Sequence, residues 1–377
     1  MKIAGYILIG FLLIRLTVSF INYIWMLWIR SNFINPQENR VLNNGVTPQF
    51  SWSILIPVRN EEDNIAKLLG DIERLIIKPN EVIIFNDGST DNTLTVIESF
   101  IDRLPWLKII NNREGSLPEG WLGKNSACYQ LAKAAKGEYL LFLDADVRVG
   151  NGIAENYIRY ANSNSISLLS VFPKQILPNY ESRVSTPIMN WILLSLLPLP
   201  LVRYSKWSSF AAANGQFMLF NADRYKDLQP HKQYRSSKAE DIEICRYYKR
   251  KGELTATFTG DNSIRCLMYD NIEDAINGFS RNVFYFFGNS RYLTLFFLIL
   301  TTLTPLYLLI FNGIAYSISS FVIIVLIRIT ISVAGDQSWL NNVRYLFQQH
   351  SLFIQIVLRA LHNRRNREQI WKGRNIF

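Results

Sequence analysis

The chain has 377 residues, with 40 lysines and arginines against 30 aspartates and glutamates, and a formal net charge of +10. At 49% hydrophobic and 19% charged residues it is too apolar for a disordered chain. Its three cysteines, Cys128, Cys245 and Cys266, are too scattered for a disulfide scaffold or a cysteine metal cluster, and they suit a reducing compartment. The mean hydropathy of +0.06 averages over an asymmetry: the ends are apolar and the middle is not.

Residues 3–29 are apolar apart from Arg15 and a few polar side chains. Roughly 20 such residues suffice to cross a bilayer. The apolar stretch runs through Trp25 and Trp28 into Arg30. That is the signature of an uncleaved anchor ending at the membrane–water interface rather than of a signal peptide. Arg15 falls mid-segment, where a charge is costly in lipid, so it is expected to face another helix or to snorkel.

From 51 to 143 strand and helix patterns alternate. Strands are expected at 51–57, 81–85, 107–110 and 138–143, with helices at 61–76, 91–104 and 125–136. The fold class that follows is α/β, with a mostly parallel sheet covered on both faces. Ligands then bind at the carboxyl ends of the strands. Polar residues collect there: Arg59, Asn60 and Glu61 after the first strand, Asn86–Asp87–Gly88–Ser89 after the second, Asp144–Ala145–Asp146 after the fourth. The uncharged run 187–202 contains three prolines. It reads either as a buried core segment or as an in-plane segment (183–207 with its basic flanks) dipping into the bilayer.

Residues 292–311 and 314–334, joined by Asn312–Gly313, read as a transmembrane hairpin. The stretch 343–361 reads as an interfacial or re-entrant helix. The tail after Leu361 carries Arg364, Arg365, Arg367, Lys372 and Arg374. The positive-inside rule puts it, and the middle of the chain, on the cytoplasmic side of the cell (plasma or inner) membrane. The positive charge fits a bilayer surface and a phosphorylated substrate. No basic stripe with stacking aromatics speaks for nucleic acid.

At the strand ends, Asp144 and Asp146 offer two hard oxygen ligands, which suits Mg²⁺ or Mn²⁺ shared with substrate phosphates. As a bare pattern they equally suit a solvated turn. Asp87 is an acceptor for an imide N–H such as that of uracil, or a turn-former beside Gly88. Lys124, after the loop 117–123, is a phosphate contact or a solvated lysine at a helix start. Glu240 and Asp241 open a further helix, either capping it and complementing its dipole or supplying a general base. Periodicity leaves those alternatives open.

The ordered set PVRNEEDNI (57–65), NDGSTDNT (86–93), LDAD (143–146) and EDIEICRYYKRKG (240–252) resembles family 2 glycosyltransferases. These are inverting enzymes of the GT-A fold, and the resemblance covers residues 51–268. The loop LPEGWLGKNSACYQ (117–130) and the closing WKGR (371–374) are similar to membrane glycosyltransferases acting on lipids, including carotenoid (diaponeurosporenoate-type) and hopanoid-associated groups.

The resemblance implies that Pro57, Arg59, Glu61 and Asp87 line the nucleoside pocket. Asp144 and Asp146 would hold the ribose–pyrophosphate and the metal, Asp241 of the Glu240–Asp241 pair would be the base, and Gly215 would lie beneath acceptor and sugar. It further implies a UDP-glucose-like donor and a membrane lipid acceptor, a carotenoid carboxylate or hydroxyl among them. Asn86 stands where the family often has an aspartate, and the Gln-x-x-Arg-Trp motif of processive synthases is absent. Arg281 sits near where that motif would fall, as a candidate pyrophosphate contact. A polysaccharide synthase, a polyprenyl-phosphate sugar transferase and a non-catalytic scaffold are the alternatives.

Overall fold

The structure, a computed structural model, describes residues 2–33, 50–112, 117–366, 370–371 and 374–375. Arg367, Lys372 and the centre of the WKGR motif lie outside the described residues. The chain divides into two compact units: 28–174 with 199–266, and 1–27 with 175–198 and 267–377.

The first unit is α/β. Its strands are β1 (Trp52–Val58), β2 (Glu81–Asn86), β3 (Leu107–Asn111), β4 (Tyr139–Leu143), β5 (Val147–Val149), β6 (Leu168–Phe172), β7 (Lys174–Gln175), β8 (Phe217–Asn221), β9 (Thr255–Thr259) and β10 (Ile264–Cys266). Seven form one sheet in the order β3-β2-β1-β4-β8-β6-β9, and β5, β10 and β7 form a small second sheet. β1 runs parallel to both β2 and β4, β2 to β3, and β6 to β9. Within the seven-stranded sheet β8 is the strand antiparallel to its neighbours, and in the second sheet β10 runs antiparallel to β5. The continuous apolar runs of β1, β2 and β4 are buried along almost their whole length, as strands covered on both faces must be.

The helices Glu62–Arg74 and Gly123–Ala134 cover the sheet, burying Ile65, Leu68, Leu69 and Ile72 from one and Ala127, Cys128 and Leu131 from the other. The helix expected over 91–104 is shorter, Thr93–Glu98. Ser99 Oγ turns back onto Val96 O at 2.7 Å, a local bond that competes with the helix ladder. Asp91 ties the start of that helix to its neighbour, accepting from Thr93 N at 3.0 Å and from Glu62 N at 3.2 Å.

The second unit is helical. Lys2–Phe33, Arg291–Asn312 and Ile314–Ala334 are each long and apolar enough to cross a membrane. The last two are joined by Gly313 at φ +98°, which a residue with a Cβ adopts only under strain. The expected weaker segment is a helix, Leu346–Asn366, whose stripe of Leu346, Leu352, Phe353, Ile356, Val357 and Ala360 is buried. It extends through Arg364 and Arg365, so the basic tail begins as helix.

The run 187–202 is divided into two helices, one in each unit. Pro187–Leu196 is a helix in this unit with Ile188, Trp191, Ile192, Leu193 and Leu194 buried. Asn22 Nδ2 caps its end, donating to Leu194 O and Leu197 O, each at 2.8 Å. Leu199–Tyr204 is a separate short helix of the α/β unit. The apolar residues of 187–196 serve as core.

Candidate active site

The order β2-β1-β4 reverses the direction of winding at β1, and the crevice this leaves opens at the strand carboxyl ends. Asn86, Val58 and Leu143 end the three strands there. The antiparallel register of β4 with β8 pairs Leu143 with Phe217. The residues just after the first and just before the second must therefore lie side by side. Asp144 N–H donates to Gln216 O at 3.3 Å, which brings Gly215 and Gln216 to the two aspartates.

Lys124 in the first turn of Gly123–Ala134 reaches the same point. Its Nζ lies 2.8 Å from Asp144 Oδ1 and 3.5 Å from Glu240 Oε1. A Cβ at Gly215 would stand 2.9 Å from that Nζ and 3.4 Å from Glu240 Oε1, so the lysine closes on both carboxylates only over a glycine. Burial alone would lower the Lys124 pKa, but the charges of Asp144 and Glu240 outweigh it and hold it well above the ordinary value.

Glu240 and Asp241 begin the helix Glu240–Arg250, whose N-cap is Ala239. Neither caps it. Asp241 Oδ2 accepts from Gly215 N at 3.0 Å and Oδ1 from Ile242 N at 2.8 Å. Burial pushes the Glu240 carboxyl up to about 7, with Asp241 adding to the effect and Lys124 opposing it. Burial also raises Asp241, against the hydrogen bonds from Ile242 and Gly215.

Asp146 Oδ2 accepts from Gln216 Nε2 at 3.0 Å and from Cys266 Sγ at 3.6 Å. Its other oxygen, Oδ1, is buried without a hydrogen-bond partner. Burial, then Asp144 and Glu61, push this carboxyl up to about 7. Of these four carboxylates Asp144 and Glu240 contact Lys124, and one oxygen of Asp146 is left without a hydrogen-bond partner.

Such a donor set fits a hard divalent cation, which takes carboxylate oxygens and fills its remaining positions with substrate phosphate and water. Among the described residues no cluster of three histidine, cysteine, aspartate or glutamate side chains forms a site from protein alone.

The other sequence-derived candidates frame the β1–β2 side of the crevice. Pro57 pairs with Phe85 across the two strands. Arg59 Nη1 donates to Asp87 O at 2.5 Å and lies 3.9 Å from Asp87 Oδ2. Asp87 is 5% exposed and its Oδ1 accepts from Asn112 Nδ2 at 3.3 Å. Gly88 takes φ +62° and Asn60 φ +54°, and Asn60 Oδ1 accepts from Thr90 N at 2.8 Å, so the two loops brace each other. Glu61 Oε2 accepts from Asn64 Nδ2 at 3.0 Å. An open cleft of about 730 Å³ adjoins, lined by Phe85, Ile110, Asn112, Leu117, Pro118 and Ser126 among others.

Arg281 lies on the helix Ile272–Asn282 of the helical unit, its Nε donating to Gly278 O at 3.4 Å. It is not among the residues that the α/β unit itself gathers. Gln216, Cys266 and Asn112 join the site without having been expected. Gln216 had a signal, its place beside Gly215, whereas Cys266 had no local one.

Residues 53–225 match the family model described as Glycosyl transferase family 2. The chain is 26% identical over 242 residues to a 4,4'-diaponeurosporenoate glycosyltransferase of Staphylococcus haemolyticus, covering 63% of this chain and 62% of that protein. It is 37% identical over 128 residues to the like-named protein of Staphylococcus aureus (strain bovine RF122 / ET3-1), covering 33% of this chain and 32% of that one. The chain thus matches less than two thirds of the length of either relative.

Among solved structures, the mannosyltransferase from Pyrobaculum calidifontis in complex with GDP-Man and Mn²⁺ superposes with a TM-score of 0.54 at 13% identity. The match covers 95% of this chain and 98% of that one, and it shows a shared fold. Family match and fold agree: residues 53–225 match glycosyl transferase family 2, and the α/β unit that holds them is GT-A-like.

Proposed function

We propose that the protein is an inverting membrane glycosyltransferase that moves a hexose from a UDP-glucose-like nucleotide sugar to a membrane lipid, a carotenoid carboxylate or hydroxyl being the acceptor that its relatives' names suggest. The observation that carries the reading is the cluster at the strand ends: Asp144, Glu240 and Asp241 gathered around Lys124 and Gly215, with Asp146 Oδ1 left unpaired beside them.

In this reading Asp87 accepts the imide N–H of the base, and Pro57, Arg59 and Glu61 shape the nucleoside pocket. Asp144 and Asp146 hold a Mn²⁺ or Mg²⁺ ion, which when bound supplies charge neutralisation for the departing diphosphate. Lys124 adds a positive charge on the same phosphates once they compete for it with Asp144 and Glu240.

Asp241 accepts the proton of an acceptor hydroxyl as its oxygen attacks the anomeric carbon. The new carbon–oxygen bond forms as the bond to the nucleotide phosphate breaks on the opposite face. An α-linked donor then gives a β-linked product. Glu240 is buried and held by Lys124, which leaves the half-exposed Asp241 as the base.

Membranes containing the protein, given radiolabelled UDP-glucose and extracted lipid, test the reading. Label stable to mild acid should enter the organic phase. Insoluble polymer would indicate a polysaccharide synthase, acid-labile lipid phosphate a polyprenyl-phosphate transferase, and no transfer from any nucleotide sugar would overturn the enzymatic reading.

The three membrane-length helices and the basic residues Arg30, Arg364 and Arg365 support a multi-pass protein of the plasma or inner membrane with its α/β unit in the cytoplasm. Protease added to sealed right-side-out vesicles should spare residues 51–268, and cleavage there would reverse the topology.

A further inference from the structure

The helical unit holds two arginines that the transferase reading does not use. Arg15 lies mid-way along Lys2–Phe33 and Arg328 in the second half of Ile314–Ala334. They are 2% and 4% exposed. Both stack on one ring: the guanidinium carbons are 4.9 Å and 4.4 Å from the centroid of Trp191. Arg15 also lies 5.0 Å from the Phe297 ring and 5.6 Å from that of Phe11.

Their hydrogen bonds go to neutral acceptors. Arg15 donates from Nη2 to Ser195 Oγ at 2.7 Å and from Nε to the same atom at 3.2 Å. Arg328 Nη1 donates to Gln349 Oε1 at 2.8 Å, and its Nε is buried with no partner. Among the described residues no carboxylate forms an ion pair with either.

A guanidinium does not shed its proton at any ordinary pH. Two such charges buried around one ring repel each other, and each carries a desolvation cost of several kcal/mol. Stacking on an aromatic face returns part of that cost where the cation is desolvated. Positive charge is left over, and an anion is what offsets it. The planar forks match the two or three oxygens of a carboxylate or phosphate. The walls around them, Trp191, Phe297, Phe11 and Phe353, match a hydrocarbon chain rather than water.

We propose that Arg15 and Arg328 together hold one oxyanionic headgroup, carboxylate or phosphate, of a membrane amphiphile, with Trp191 between them as a shared aromatic platform. The site is a lipid-anion site within the membrane-spanning helices, and it stands whether or not the transferase reading holds.

Binding to the full-length protein in neutral detergent, with no sugar donor present, tests it. Radiolabelled decanoate and dodecyl phosphate are the probes, with decanol and inorganic phosphate as controls. Both anionic amphiphiles should bind and raise the melting temperature, and decanol should do neither. Arg15→Gln or Arg328→Gln should weaken probe binding about tenfold each, the worth of one charge-assisted contact, and the double variant should abolish it. The ligand-free Gln variants should melt at or above the parent, because each loses an uncompensated buried charge.

Equal binding of decanol and decanoate would overturn the proposal, as would unchanged probe affinity in the double variant. Inorganic phosphate binding as tightly as dodecyl phosphate would overturn the lipid assignment. If the double variant fails to fold, the contrast between decanoate and decanol on the parent protein decides alone.

Discussion

The two units bury charge of opposite sign, and they treat it differently. In the α/β unit Asp144, Glu240 and Asp241 surround Lys124, backbone N–H groups of Gly215 and Ile242 help to satisfy them, and the surplus is negative. In the helical unit Arg15 and Arg328 meet, among the described residues, a hydroxyl, an amide and aromatic faces, and the surplus is positive. A surplus left inside a folded chain is costly in proportion to its burial. Its sign names the ligand class that would relieve it: a cation with a phosphorylated donor in one unit, an anionic lipid in the other.

The largest expected effect breaks the first half of that contrast. Asp146→Ala removes the unsatisfied oxygen and should lower turnover by about 10³-fold or more, the scale of several kcal/mol of charge stabilisation. Mn²⁺-dependent UDP binding should vanish with it while the melting curve stays near the parent. Full activity in excess chelator would sink the metal assignment.

Asp241→Asn keeps the shape and can keep the Gly215 contact, at the expense of that with Ile242, but removes the proposed proton acceptor. With a hydroxyl-bearing lipid it should lower turnover by roughly 10²–10⁴-fold at unchanged nucleotide affinity. With a carboxylate acceptor, already ionised at neutral pH, the same variant should lose far less. Running both acceptor types therefore separates a base from a merely structural aspartate, and retention of more than about a tenth of the activity on both would move the base elsewhere.

Much of this site was legible because buried parallel strands are continuous apolar runs, and the polar residues that end them stand out. SWSILIPVRN, EVIIFND and EYLLFLDAD announce β1, β2 and β4 together with the residues at their ends. What failed to show was what depends on pairing between distant segments. The β4–β8 register sets Gln216 beside Asp144 and Asp146, and no local pattern foretells an antiparallel strand arriving some 70 residues later. Cys266 arrives by the same kind of long-range pairing, through β10 on β5. In the helical unit the cost of Arg15 was plain from its position, but its partners Ser195 and Trp191 were not. The run 187–202 looked open to lipid because an uncharged, proline-broken segment reads alike whether lipid or other helices cover it.

Gln216→Leu tests the residue that pairing revealed. It should weaken Mn²⁺-dependent nucleotide binding by about 10–100-fold, as loss of an orienting hydrogen bond to a metal ligand does. An unchanged metal titration would make Gln216 a packing residue only.

The smallest expected effect concerns Glu240 and stability rather than turnover. Its folded-state pKa is pushed up to about 7 from an ordinary 4.5, chiefly by burial. A group with a raised folded pKa contributes stability that is fully present below about pH 4.5 and is lost as pH rises through about 7. Gln has nearly the same shape and no charge to lose, so Glu240→Gln should remove this group's share of the pH dependence. Without divalent cation, parent and variant should melt together near pH 4.5. By pH 8 the variant should melt higher, by an amount on the order of 2–3 kcal/mol at most. Loss of the 3.5 Å contact with Lys124 acts the other way and reduces the gain, but Lys124 stays charged across this window and cannot reverse the slope. Parallel melting curves for the two proteins between pH 4.5 and 8 would show that the folded-state pKa of Glu240 stays near the ordinary 4.5. The negative surplus of the α/β unit would then be borne in full by the folded protein and not relieved by a proton.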